Sequence, residues 1–136
     1  MVPFIRTRCF AWIVVGTLAL IIAVLSLTPR PEDMLPVTLW DKLSHFLAYA
    51  PLALSLGHAL ECSRWAKRRV VIGGILLSTA YGGLMEGLQY FIPPRMLDPL
   101  DAFSNFLGSC FGMLCFLLLD FMLADSRSRG RATGNG

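Results

Sequence analysis

Charged residues are scarce in this chain. Asp, Glu, Lys and Arg make up 15% of its 136 residues, whereas 55% are hydrophobic. A soluble domain usually carries roughly a quarter charged residues, so the composition excludes an ordinary soluble protein. The length also leaves no room for a second domain of the usual size. We therefore interpret the chain as a single-domain integral membrane protein.

The sequence also lacks a cysteine pattern with an obvious purpose. Of its four cysteines, Cys9 and Cys62 lie at the ends of apolar segments, next to basic residues. Cys110 and Cys115 belong to one apolar segment. None of them has the paired spacing of a zinc-ligand set or suggests a disulfide framework. We predict no disulfide, and from the sequence we assign no metal and no cofactor.

Four apolar stretches are long enough to cross a bilayer as helices, at about 1.5 Å per residue. We place these helices at about 10–28, 39–61, 70–92 and 99–123. Three prolines between residues 29 and 36 break the first connection, because proline cannot continue the helical hydrogen-bond ladder. The predicted fold is all-α, a four-helix transmembrane bundle that occupies residues 1–123 as one domain.

Positive charge is concentrated on one side of this arrangement. Nine of the twelve Lys and Arg residues lie at the N-terminus, between the second and third helices, or after the fourth helix. Cytoplasmic segments are enriched in these residues, so we predict that both termini are cytoplasmic and that residues 124–136 form a disordered basic cytoplasmic tail. The basic residues flank membrane spans without an aromatic stacking platform, which predicts membrane lipids as partners and no nucleic acid.

Polar side chains recur along the second predicted helix. Asp41, His45 and Tyr49 follow one another at a spacing of four and share a face, and Lys42 lies three residues before His45. A helix that only crossed lipid would not need such a stripe. Asp41 also fits a capping role with Thr38, so a structural and a functional interpretation of this residue both stay open.

A second polar stretch joins the third and fourth helices. Glu86 and Gln89 share a face near the end of one helix, and Asp101 and Asn105 share a face near the start of the next. The predicted topology puts this stretch at the outward-facing surface of the membrane, together with the polar stripe of the second helix. We therefore predict a ligand-binding site made of Asp41, Lys42, His45, Tyr49, Glu86, Gln89, Arg95, Asp101 and Asn105.

Glycines predict where the helices approach closely. Gly83 and Gly87 in the third helix, and Gly108 and Gly112 in the fourth, each have the G-x-x-x-G spacing that allows close backbone contact. We expect both pairs to bring the neighbouring polar residues toward a common interior. At the start of the fourth helix, Asp98 before a proline predicts a helix cap rather than a ligand.

These polar residues, in this order and between these helices, resemble the VanZ-like family of small bacterial multi-pass membrane proteins. The resemblance covers about residues 38–116 and implies a location in the bacterial cell (inner) membrane. The family's namesake is associated with low-level resistance to the glycopeptide teicoplanin, so the resemblance also implies a role in the cell envelope and a link to antibiotic resistance. It rests on Asp41-Lys42-Leu-Ser-His45-Phe46-Leu-Ala-Tyr49, on Glu86-Gly-Leu-Gln89, and on Arg95, Asp101, Asn105 and Gly108 at spacings six, four and three.

Several functions fit the predicted site. It could bind an envelope component such as a lipid-linked precursor headgroup or a glycopeptide, with Arg95 and the helix N-termini facing phosphate or carboxylate. It could be an ion-pair network with a purely structural purpose, or a route for protons or ions. A membrane-embedded hydrolase or transferase is a further alternative, with His45 as general base beside Asp41 and Glu86 as acid. That alternative lacks a clear nucleophile, although a cation held by these residues and Asp101 would activate water.

Overall fold

The computed structural model describes residues 2–28, 38–92 and 98–133, with side chains over 7–28, 42–92 and 98–126. Within these ranges the chain has no strand, so the all-α prediction is confirmed. The second and third helices fall close to their predicted positions. The helices are, in chain order, α1 (Val2–Leu27), α2 (Thr38–Cys62), α3 (Lys67–Gln89) and α4 (Pro99–Thr133).

Two helix ends differ from the sequence prediction. α1 begins at Val2 rather than near residue 10, and α4 continues to Thr133 rather than ending near residue 123. The tail predicted to be disordered is therefore helical as far as Thr133, and residues 134–136 lie outside the described chain. The reason is that adding a residue to an existing helix needs no new nucleation, so α4 continues past its apolar part.

α2 and α3 lie side by side in opposite directions. His45 meets Glu86 where α2 begins and α3 ends. At the other end of the pair, the side chain of Leu60 lies against Gly73. Because the two helices are in contact near both ends, α2 packs against α3 over most of its length.

α2 and α4 run in the same direction and approach closely at two glycines. A Cβ atom added at Gly108 would lie 2.5 Å from the carbonyl oxygen of Phe46, and one added at Gly112 would overlap the carbonyl oxygen of Ala50. Only a residue without a side chain allows the two backbones to pack this closely. The predicted close approach at these two glycines is confirmed, and its partner is α2.

α1 packs against α2 and α3. Near its start, Trp12 Nε1 donates a hydrogen bond of 3.2 Å to Ser63 Oγ, in the turn after α2. Near its end, the carbonyl of Ser26 accepts a hydrogen bond of 2.9 Å from Gln89 Nε2 of α3. α1 is therefore parallel to α3, and the four helices run alternately up and down.

Three helices in the described part of the chain are long and apolar enough to cross a membrane, over Thr7–Leu27, Lys67–Gln89 and Pro99–Ser126. α2 is not among these three; it carries Lys42 and His45 in its first two turns and contacts each of the other helices. A helix that packs against protein on several sides does not need an apolar surface on all of them. Because α2 lies alongside α3 and α4, it lies at the same depth as these two spans.

The start of α1, the α2–α3 turn and the end of the α4 span lie at one end of the bundle, which we call the basic end. Lys67 joins three helices there, since its Nζ lies 2.6 Å from Glu61 Oε1 and 2.8 Å from Asp120 Oδ2. The start of α2, the end of α3 and the start of α4 form the opposite end, which we call the site end. It carries Lys42, Glu86 and Asp98.

Candidate functional site

Lys42 ties the first turns of α2 to the start of α4. Its Nζ lies 2.6 Å from Asp98 Oδ2 and 2.8 Å from Asp101 Oδ1. Asp98 also caps α4, because its Oδ1 accepts a hydrogen bond of 2.9 Å from the Leu100 N–H. The Lys42 ammonium and this N–H together hold the pKa of the Asp98 carboxyl below its ordinary value. The predicted cap is thus confirmed, and Asp98 is at the same time half of an ion pair.

Behind Lys42, three helices contribute His45, Glu86, Asp101 and Asn105 to one group, which we call the central cluster. His45 Nδ1 lies 3.0 Å from Asn105 Oδ1 and 3.8 Å from Glu86 Oε1. On the other side of the ring, His45 Nε2 lies 3.8 Å from Asp101 Oδ2. Glu86, Asp101 and Asn105 are buried. The structure therefore brings four of the nine predicted residues together, with Lys42 at their rim.

A small residue on α3 makes room for this cluster. A Cβ atom added at Gly82 would lie 2.8 Å from Asn105 Nδ2. An added Cβ at Gly83 or Gly87 would meet nothing within 4 Å, so the close packing predicted for that pair is wrong. The buried face of α3 passes through Gly82 and Glu86, four residues apart. That spacing is the signal in the sequence that would have identified the correct glycine.

A pair of serines lies one turn deeper than the central cluster and was not singled out from the sequence. Ser78 on α3 and Ser109 on α4 are fully buried, and their hydroxyl oxygens are 2.8 Å apart. Ser78 lies four residues before Gly82 on α3, and Ser109 lies four residues after Asn105 on α4. The hydrogen bond between them holds α3 against α4 below the cluster.

Two buried polar atoms near the cluster have no hydrogen-bond partner among the described residues. They are Nδ2 of Asn105 and the hydroxyl of Tyr49, and the two side chains are 0% and 1% exposed. Leaving such an atom unpaired costs about 1–3 kcal/mol, and native proteins rarely do so without a reason. The site end therefore has more hydrogen-bonding capacity than its own described contacts use.

The remaining predicted site residues are placed differently. Gln89 donates to the Ser26 carbonyl and so serves the α1–α3 interface rather than the central cluster. Tyr49 lies one turn deeper than His45, with its ring 6.5 Å from that of Tyr81. Arg95 and the side chain of Asp41 lie outside the described residues, and the roles predicted for them stay predictions.

The described ionisable groups of the site end carry an excess of negative charge. Of the three described carboxylates, those of Asp98 and Asp101 pair with the ammonium of Lys42. The third, that of Glu86, lies near His45. Buried carboxylates require a partner, a proton or a cation. One ligand atom from each of His45, Glu86 and Asp101 lies within 4.8 Å of the other two. Chemically, this arrangement can exchange a proton or hold a cation. It can also donate hydrogen bonds to a polar ligand and accept hydrogen bonds from it.

Comparison with known proteins identifies the family. The model of the VanZ/LLP1 family matches residues 4–120, a range that includes nearly all of α1, the whole of α2 and α3, α4 as far as residue 120 and the whole central cluster. The comparison with curated proteins gave no match, and neither did the comparison with solved structures. Since the family match covers most of the sequence and agrees with the resemblance in its polar residues, the chain belongs to the VanZ/LLP1 family.

Proposed function

We propose that this membrane protein uses the site end to bind a component of the bacterial cell envelope at the outer face of the cell membrane. The observation that carries the proposal is the unused hydrogen-bonding capacity of Asn105 and Tyr49 beside a cluster built from three helices. In a purely structural network, each buried polar group would have a partner within the protein, as the ammonium of Lys42 has in its two aspartates. Buried polar atoms left without partners instead support a site that a ligand completes.

The charge of the site narrows the class of ligand. With three described carboxylates against one ammonium, a bare phosphate would be repelled unless Arg95 or a cation faced it. Hydroxyl, amide and ammonium groups meet no such repulsion and match the polar atoms that Asn105 and Tyr49 offer. Sugars and peptides present these groups, which favours the sugar-peptide part of a lipid-linked precursor or a glycopeptide over an isolated phosphate.

The hydrolase or transferase alternative has less support. Catalysis by a serine or cysteine nucleophile needs its hydroxyl or thiol within hydrogen-bond reach of the base. Among the described side chains, the hydrogen-bond partner of His45 is the amide of Asn105. Ser104, on the first turns of α4, donates to the carbonyl of Leu100 in its own helix. Catalysis at this site would therefore depend on water, activated by His45, by a carboxylate or by a bound cation.

Replacing His45 by glutamine tests whether the central cluster binds a ligand. Glutamine keeps most of the volume and hydrogen-bonding capacity of histidine, so we expect expression, membrane insertion and melting temperature in detergent to change little. The envelope phenotype of the intact protein should be lost completely, and teicoplanin susceptibility is the first phenotype to measure. The matched control is His58→Gln, because His58 is exposed near the basic end and its replacement should leave the phenotype intact.

The opposite result would favour the structural alternative. If His45→Gln and Asn105→Ala lower the melting temperature equally, while the phenotype follows only the amount of folded protein, the cluster holds helices together and binds nothing. In that case the proposal fails.

Orientation in the membrane is a second part of the proposal. Four helices at one depth make an even number of crossings, and Lys and Arg are concentrated at the basic end, which supports cytoplasmic termini. A reporter fused after Gly136 or inserted at Ala66 should behave as cytoplasmic, and one inserted near Glu32 as exported. If the reporters at Ala66 and Glu32 reported the same compartment, α2 would not cross the membrane. An exported reporter at Gly136 would place the site end in the cytoplasm.

A further inference from the structure

Three potential metal ligands from three different helices converge in the central cluster. His45 comes from α2, Glu86 from α3 and Asp101 from α4, and one ligand atom of each lies within 4.8 Å of the other two. We propose that these three side chains bind a divalent first-row metal ion, with Zn²⁺ as the best match to the donor set. This inference concerns the residues of the proposed envelope site but does not depend on the envelope ligand.

The hydrogen bond of His45 determines which of its nitrogens is available. Asn105 Oδ1 lies 3.0 Å from His45 Nδ1, and because an amide oxygen only accepts, the proton of a neutral His45 is on Nδ1. Nε2 then carries a lone pair and faces Asp101 Oδ2 at 3.8 Å. Two acceptors in this position repel each other, and the distance is too long for a hydrogen bond. A cation between them removes the repulsion.

The distances suit a metal ion. Zn–N and Zn–O bonds are each about 2.0–2.2 Å, which separates two ligands of one tetrahedral zinc by about 3.4 Å. The 3.8 Å between His45 Nε2 and Asp101 Oδ2 therefore needs to shorten only slightly. Glu86 is buried beside the same imidazole ring, with Oε1 3.8 Å from Nδ1. One of its ligand atoms lies within 4.8 Å of those of His45 and Asp101, so its carboxylate supplies the third ligand by turning toward Nε2.

Neighbouring residues hold two of the ligands in the orientation a metal requires. Lys42 binds Oδ1 of Asp101 and leaves Oδ2 facing His45. Asn105 binds Nδ1 of His45 and leaves Nε2 facing Asp101. Metal-binding histidines and carboxylates typically have such a partner on the atom that does not bind the metal.

Asn105 provides an independent indication of a ligand. Its side chain is fully buried and reaches into the cluster through its contact with His45. Its Nδ2 has no hydrogen-bond partner among the described residues. A water or ligand oxygen on the metal would give this N–H group an acceptor.

The donor set selects the type of ion. Ca²⁺ and Mg²⁺ prefer sites made only of oxygen ligands, whereas an imidazole nitrogen with carboxylates suits Zn²⁺ or Mn²⁺. A dication also offsets the excess of carboxylates over ammonium groups in the described site end.

Calorimetry on the full chain in detergent, after removal of bound metal with a chelator, tests the proposal. Titration with ZnCl₂ should give one site per chain, and both His45→Gln and Glu86→Gln should weaken Zn²⁺ binding at least tenfold. The matched control is Cys62→Ser, because Cys62 Sγ lies 3.7 Å from His58 Nε2 near the basic end and is the competing place for zinc. Cys62→Ser should leave the affinity and stoichiometry unchanged.

Loss of the site in Cys62→Ser, with full binding in His45→Gln, would overturn the proposal, and so would displacement of Zn²⁺ by a modest excess of Mg²⁺ or Ca²⁺. Should the cluster variants fail to fold, Co²⁺ bound to the unaltered protein decides the question. We expect the visible absorption of Co²⁺ with nitrogen and oxygen ligands, whereas a thiolate charge-transfer band would contradict the assignment. No envelope component is present in these measurements, so zinc binding is tested separately from the proposed function.

Discussion

Replacing Gly112 by alanine is expected to destabilise the bundle by about 3 kcal/mol or more, at the upper end of the cost of overpacking. The added methyl group would overlap the carbonyl oxygen of Ala50, which is backbone and cannot turn away as a side chain can. To make room, α4 must move away from α2, and this movement would also separate Asn105 from His45. We expect a lower melting temperature in detergent and a parallel loss of any activity of the site.

Gly83→Ala is the matched control for this experiment. Gly83 is also a glycine within a membrane-crossing helix, but an added Cβ there would meet nothing within 4 Å. Alanine is the better helix former by about 1 kcal/mol in water, so the control should be neutral or slightly stabilising. Equal destabilisation by the two substitutions would mean that the α2–α4 contact does not depend on Gly112.

Replacing Lys42 by methionine is expected to cost about 3 kcal/mol, because it leaves the buried carboxylate of Asp101 without its cation. The side chain of Lys42 is 23% exposed and that of Asp101 10% exposed, so water can compensate only in part. Neutralising the carboxylate of Asp101 should restore much of the lost free energy of unfolding. We therefore expect Lys42→Met combined with Asp101→Asn to be more stable than Lys42→Met alone. Strict additivity of the two substitutions would contradict the pairing.

Lys67→Met at the basic end gives the matched control. Lys67 also bridges two carboxylates, those of Glu61 and Asp120, but all three side chains are about two-fifths exposed. Exposed ion pairs contribute about 0–1 kcal/mol, so this variant should lose much less stability than Lys42→Met. Chemical unfolding of both variants in the same detergent measures the difference.

The loss of stability caused by Lys42→Met should also depend on pH. Lys42 lowers the pKa of Asp98 in the folded protein, so the contribution of this pair is present above the ordinary pKa of aspartate and is lost as the pH falls through the lowered value. The stability difference between the two proteins should therefore be largest near neutral pH and smaller in acid. A difference that grows in acid would show that Asp98 does not pair with Lys42.

The number and type of helices followed from the sequence because long apolar runs between polar turns depend on local properties. The cap at Asp98 was predictable for the same reason, since it joins neighbouring residues and its hydrogen bond to Leu100 spans a single turn. The ion-pair alternative expected pairs among the polar residues of the site, and the structure contains such a bridge between helices, from Lys42 of α2 to Asp98 and Asp101 at the start of α4.

Contacts that depend on the rotation of one helix about its own axis were harder to predict. Gly82 and Gly83 differ by one position in the sequence but point about 100° apart on a helix, and the one in contact with Asn105 is Gly82. Gln89 shows the same difficulty, because a rotation that directs Glu86 toward α2 directs Gln89 toward α1. The sequence predicted which segments meet, whereas the packed helices determine which atoms do.

The polar character of α2 has a consequence for how the protein enters the membrane during synthesis. α1 is strongly apolar and can leave the translocation channel for lipid as soon as it is made. α2 follows it with Lys42 and His45, and as an isolated helix it would expose these groups to lipid. It can be shielded fully only after α3 and α4 have been translated, because α4 brings the carboxylates that bind Lys42. We therefore expect integration of α2 to be completed after translation of the last helix, and a chain truncated before α4 should remain with the insertion machinery or be degraded.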